Sequence, residues 1–204
     1  MKKTKNLFRK MFLVGTAMSL TASINYEVAK RTEFFDLEPL KVETYENGQG
    51  RILEIPRFNP VKLGYLNCAR YARMVSEKVF SLKYTPANTW NFSYANQPIV
   101  KVEESNLELL AQNGTLEPGM ILGTYNPKSR YANRTDQTGR PVKYTHTVVY
   151  LGEGRNGQPI FVHQFGAKIR IDTLSSLKEQ ELELREVIAP RGYVKNSVNL
   201  DCTD

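Results

Sequence analysis

The 204-residue chain reads as an α+β protein in which one amphipathic helix packs on an antiparallel sheet. Three observations predict this. Apolar residues from Cys68 to Leu82 recur at helical spacing, β-rich runs fill the second half, and turn chemistry such as Gly152-Glu153-Gly154 and Asn156-Gly157 separates those runs. With 41% hydrophobic residues the chain can fill one core, and two would be crowded.

Residues 1–23 have the layout of a secretory signal peptide. Lys2, Lys3, Lys5, Arg9 and Lys10 precede an apolar stretch from Met11 to about Ile24, with small residues at Thr21-Ala22-Ser23. That stretch is too interrupted by Thr and Ser to span a bilayer, which takes roughly 20 apolar residues. The expected location is therefore secreted or periplasmic, with an uncleaved N-terminal anchor as the alternative and no stable membrane insertion after cleavage. A net charge of +7 and a pI near 9.3 favour an anionic partner such as a wall polymer, an anionic lipid surface or nucleic acid. Five of the basic residues leave with the signal peptide, so the mature excess drops to about +2 and the charge says little; no nucleic-acid partner is expected, and the protein is expected to be a monomer.

Residues 24–60 form an N-terminal arm. Its apolar pieces, Phe34-Phe35 and Ile52 to Ile55, are broken by Asn47-Gly48, Gly50, Pro56 and Pro60, and fewer than about 40 residues do not make an independent core. The arm is expected to wrap the main domain, residues 61–195, or to add an edge strand to it. A polar tail covers 196–204.

In the main domain, Cys68, Ala72, Val75, Val79 and Leu82 share one helical face, and Asn67 is a favourable N-cap. Cys68 then lies in the first turn, where unpaired N–H groups and the helix dipole lower a thiol pKa. Two other readings stay open: a small buried core cysteine, and a disulfide to Cys202. Glu103 to Asn113 reads as a second helix stopped by Gly114. Met120 to Tyr125, Thr145 to Leu151, Ile160 to Phe165, Lys168 to Ile171 and Leu182 to Ile188 read as strands.

The two histidines of the chain, His146 and His163, fall in successive strand runs across a Gly-rich hairpin loop, where neighbouring strands can set the rings side by side. A cysteine followed by two histidines is the order of a thiol hydrolase: Cys68 as nucleophile, His146 as base, His163 holding the first imidazole in its tautomer. Each histidine alone is more often a hydrogen-bonded structural residue.

These segments resemble the NlpC/P60 cysteine peptidases of the papain-like clan, from about Gly64 to Phe165. Asn67-Cys68-Ala69-Arg70 is similar to the nucleophile motif at the start of the central helix, and Leu116-Glu117-Pro118-Gly119-Met120-Ile121-Leu122 to the family's L-x-P-G-D-L-V. His146 to Leu151, followed by Ile160 to His163, resembles H-V-G-I-Y-L-G and then F-I-H. The resemblance implies a papain-like core, a Cys68-His146-His163 triad, no cofactor, and a cell-wall peptide or another amide as substrate. Asn67 and Ala69 stand where the family has Asp and Ser, which help hold the free amine of a stem peptide, so a substrate without that amine is favoured.

Three further features bear on the site. The insertion Asn126 to Tyr144 carries Lys128, Arg130, Arg134, Arg140 and Lys143 against Asp136, and reads either as a steering element for an anionic substrate or as a solvated loop. Arg130 and Arg134 are its candidate substrate contacts, with Asn67. Trp90, the single tryptophan, lines the cleft or packs in the core. No nucleotide-binding glycine loop and no metal-ligand spacing occurs, although one Cys and two His can in principle hold zinc. Alongside the hydrolase stand an acyltransferase or transpeptidase on the same fold, and a non-catalytic secreted wall-binding module.

Overall fold

The computed structural model describes residues 41–58, 68–136, 138–166 and 168–194. The signal peptide, the first part of the arm, Asn67 and the tail with Cys202 lie outside the described residues.

The described part of the arm is a hairpin, β1 (Lys41–Glu46) against β2 (Ile52–Arg57). Its turn is built by Asn47, whose side-chain oxygen accepts from the N–H groups of Gln49 at 3.1 Å and Arg51 at 2.9 Å. The hairpin is a two-stranded sheet of its own and adds no edge to the main one. Leu53, Ile55 and Phe58 are buried, and the Tyr71 hydroxyl donates to the Pro56 carbonyl at 3.2 Å.

Helix α1 (Cys68–Phe80) follows the predicted spacing, and its buried side is broader than the predicted stripe, taking in Ala69, Tyr71 and Met74 as well as Cys68, Ala72 and Val75. The left-handed backbone of Ser81, φ 61°, ends it, and the Leu82 N–H returns to the Ser76 carbonyl at 3.0 Å. A short 3₁₀ turn (Thr89–Asn91), α2 (Phe92–Ala95) and β3 (Pro98–Lys101) come next. The second predicted helix is divided into a 3₁₀ turn (Glu104–Asn106) and α3 (Leu107–Gln112), stopped at Asn113-Gly114 as the sequence predicts.

The strands are β4 (Ile121–Tyr125), β5 (His146–Glu153), β6 (Pro159–Phe165), β7 (Lys168–Thr173) and β8 (Glu183–Ile188), with α4 (Leu174–Glu179) before β8. They form a six-stranded antiparallel sheet in the order β3-β8-β4-β5-β6-β7, so the protein is α+β. Strands β4 to β7 are the predicted meander, and β8 returns to the outer side of β4.

Helix α1 lies against β5 and β6. Gly119, at φ 94°, makes that approach possible near β4: a Cβ there would come within 2.4 Å of the Phe80 side chain. A hydrophobic cluster joins Leu107, Leu110 and Leu116 with Leu122, Val148, Phe161, Leu177 and Val187, so helices as well as strands contribute to the core. Among the described residues no helix is long and apolar enough to cross a membrane.

Candidate active site

Cys68 is the first residue of α1, 5% exposed, with a free thiol. Its Sγ lies 2.8 Å from Thr89 Oγ1, a contact supplied by the 3₁₀ turn after the helix. Asn88 sets that turn in place, since its side chain accepts from the Asn91 N–H at 3.0 Å. Thr147 of β5 also stands beside the thiol, although its Oγ1 has no hydrogen-bond partner of good geometry.

Sequence reasoning predicts a lowered thiol pKa, and the structure reverses that direction. Burial pushes the Cys68 thiol up, and the contacts of Thr89, Thr147 and the Ala69 N–H offset it only in part. The resting cysteine is a protonated thiol. A helix start lowers a thiol pKa where the sulfur is open to solvent, and here it is covered.

His146 opens β5 and His163 lies in β6. The β5–β6 ladder runs from Glu153↔Pro159 to Val149↔Val162, and beyond it the imidazole pair bridges the two strands. His146 Nε2 lies 2.8 Å from His163 Nδ1, with ring centroids 4.9 Å apart and planes edge to face at 80°. His163 is fully buried, and its Nε2 lies 2.8 Å from Asp172 Oδ2.

Asp172 is on β7. The pairings His163↔Arg170 and Phe161↔Asp172 put all four side chains on one side of the sheet, because alternate residues of a strand share a face. The carboxylate also accepts from Arg170 Nε at 2.9 Å, Arg170 Nη2 at 3.3 Å and Gln180 Nε2 at 2.8 Å. Gln180 caps α4, so that short helix serves to bring an amide over the acid.

Burial lowers both imidazoles to about 4. For His163 the neighbouring His146 adds to the lowering, and Asp172 works against it. Burial alone would raise Asp172, but the bonds from Gln180, His163 and Arg170 outweigh it and hold the carboxyl below its usual range. At neutral pH the chain is thus neutral imidazole, neutral imidazole, carboxylate.

Cys68 and His146 line one cleft of about 570 Å³, with Asn88, Thr89, Trp90, Tyr131, Gln164 and Phe165 among its walls. A larger hollow of about 770 Å³, bordered by Lys83, Arg191 and Tyr193, contains none of these groups. Trp90 lies in the cleft wall, its ring 5.0 Å from that of Tyr131. Arg130 and Arg134 do not line the cleft. Their guanidinium groups sit 4.7 and 5.7 Å from the Tyr131 ring centre, so they touch the cleft through that ring.

The insertion is itself a built loop. Asp136 accepts from Thr138 and Arg140, bonds that hold its carboxyl far below the usual range in spite of burial. Tyr94 donates to the Pro141 carbonyl at 2.7 Å, Asn126 N–H to Thr145 Oγ1 at 2.7 Å, and Lys128 pairs with Glu181.

Asn67 lies outside the described residues. Thr89, Thr147, Asp172 and Gln180 are the site residues that sequence reasoning missed. Asp172 left one readable signal: the predicted strand Lys168 to Ile171, extended by one residue, alternates Lys168, Arg170, Asp172 on one face beside the His163 strand. Among the described residues no group of three or more His, Cys, Asp or Glu is arranged to hold a metal ion. Comparison of the chain with protein-family models, with curated proteins and with solved structures finds no match.

Proposed function

We propose that the protein is a cysteine hydrolase of amide bonds, with Cys68 as nucleophile, His146 as base and His163 as its orienting partner. The observation that carries this reading is the placing of Cys68, at a helix start, and His146, at the head of a histidine-carboxylate chain, in one cleft.

The thiol is bonded to Thr89 rather than to His146, so the reaction begins with rotation of Sγ away from the hydroxyl. Because the thiol is protonated and the imidazole neutral, proton transfer to His146 accompanies attack. The S–C bond forms as the S–H proton moves to His146, and the N–H groups at the start of α1 face the developing oxyanion. The proton then passes to the leaving nitrogen as the C–N bond breaks. Water, deprotonated by His146, cleaves the thioester, and the thiol is restored. An amine in place of that water makes the same site an acyltransferase.

The resemblance to NlpC/P60 peptidases, with a papain-like core, supports a cell-wall peptide as substrate, and the N-terminal sequence supports export. Asn67 and Ala69 in place of the family's Asp and Ser favour an acyl donor without a free amine. Incubating the mature protein and its Cys68→Ala variant with purified peptidoglycan tests this, with new amines and altered muropeptides as the readout. Product from the wild type alone is the expected result. Equal behaviour of the two proteins would sink the reading on that substrate and favour a binding module in which Cys68 is a buried core residue.

A further inference from the structure

We propose that Asp172 is a positioning residue which, acting through His163, fixes the tautomers of both histidines so that Nδ1 of His146 is the bare nitrogen that takes the nucleophile's proton. The proposal rests on the reading of Cys68 and His146 as a nucleophile and its base, and adds to it the residue that decides which nitrogen reacts.

The order of donors and acceptors is set from the carboxylate outward. Asp172 is 8% exposed and receives hydrogen bonds from Arg170 Nε and Nη2 and from Gln180 Nε2. An ionised carboxylate only accepts, so the nitrogen of His163 facing it, Nε2 at 2.8 Å, carries the hydrogen. A neutral imidazole has one N–H, and Nδ1 of His163 is therefore an acceptor. The contact of 2.8 Å between that Nδ1 and His146 Nε2 is then a bond that His146 donates. The single hydrogen of His146 is placed on Nε2, and its Nδ1 is left with a lone pair.

The groups around the carboxylate agree with this order. Gln180 Nε2 lies 2.8 Å from both Asp172 Oδ2 and the Ser176 carbonyl, two acceptors, so its amide cannot be turned over without losing both bonds. The charged and titratable neighbours are Arg170 on β7 beside the acid, His163 on β6 and His146 on β5, and no second carboxylate is bonded in the chain among the described residues. When His146 gains its second proton during the reaction, its Nε2–H bond to His163 persists, and the Asp172 charge stabilises the cation from one imidazole away.

Imidazole ¹⁵N NMR of the resting protein at pH 7 reads these tautomers without any substrate. The expected spectrum has a protonated Nε2 and a bare Nδ1 on both rings. In Asp172→Asn the amide can donate to His163 instead of accepting from it, which inverts or mixes the tautomers. With an amide substrate that variant should lose roughly 10²-fold in kcat with KM nearly unchanged, and Asp172→Glu should recover part of the loss. A bare Nε2 on His163 in the wild type, or tautomers unchanged in Asp172→Asn, would overturn the proposal. Because the spectra need no turnover, they read the tautomers even if Cys68→Ala shows the hydrolase reading to be wrong. Should Asp172→Asn not fold, the wild-type spectrum alone decides.

Discussion

On one wall of the cleft the Cys68 thiol has Thr89 as its hydrogen-bond partner and is pushed by burial toward its protonated form. On the other, His146 is chained through His163 to a carboxylate that Arg170 and Gln180 also hold. The His146 ring is held in place, because each atom that orients it is itself bonded. The Cys68 thiol is bonded to Thr89 and not to His146, so under the proposed function it leaves Thr89 before the proton moves. A thiolate–imidazolium pair would require both walls to be charged, and burial of both keeps them neutral.

The largest effect is expected on the fixed wall. His163→Ala removes the partner that orients His146 and one of the donors to Asp172. Amide hydrolysis should fall roughly 10³-fold. Stability should fall by about 2–3 kcal/mol, measured by urea unfolding, because a buried carboxylate loses a partner. A His163→Ala protein with wild-type activity and stability would show the two walls to be unrelated.

Acid should act on the same wall, and its sign follows from the lowered imidazoles. In an unfolded chain both histidines titrate near 6.5, whereas burial in the folded protein lowers them to about 4. Above pH 6.5 both states hold neutral rings. Between 6.5 and 4 the unfolded chain binds protons that the folded one does not, so stability is lost as the pH falls, by about 3 kcal/mol for one imidazole. Asp172 is ionised throughout that window, being held below its usual range, and does not offset the loss. Urea midpoints that stay constant from pH 7 to 4.5 would contradict the buried neutral pair.

The difference between the walls also governs what the sequence revealed. The α+β class, α1 and the β4–β7 meander are legible because the apolar spacing of Ala72 and Val75, and the strand runs around His146 and His163, repeat with the periods of their elements. Strand β3 and helices α2 and α4 are four to six residues long, too short for a period, and are held by tertiary contacts. The histidine pair is legible because successive strands of a hairpin are neighbours. Asp172 was missed because its role depends on β6–β7 register, and Thr89 because it reaches Cys68 from 21 residues away through an irregular turn. Thiol burial is a sum over many contacts and has no local signature.

The thiol wall is sharpened by Thr89→Val, which keeps the shape and removes the hydroxyl. The hydroxyl favours the thiolate, so its loss should raise the thiol pKa further and slow iodoacetamide labelling at pH 7 by about fivefold, the worth of a bond of about 1 kcal/mol. Faster labelling would mean that Thr89 restrains the sulfur more than it helps ionise it.

The smallest effect belongs to the loop behind the cleft. Arg130 and Arg134 flank the Tyr131 ring, and that ring meets Trp90 in the wall. Both cations stand near exposed surface, so Arg134→Ala should change stability by no more than about 0.5 kcal/mol. Its effect is expected on the substrate side: a KM for an acidic amide substrate raised about two- to threefold at low salt, with the difference erased near 0.5 M salt as screening shortens the reach of the charge. A neutral substrate should show no such change. If acidic and neutral substrates respond alike, Arg134 acts by holding Tyr131 in place, and the loop shapes the wall by packing rather than by field.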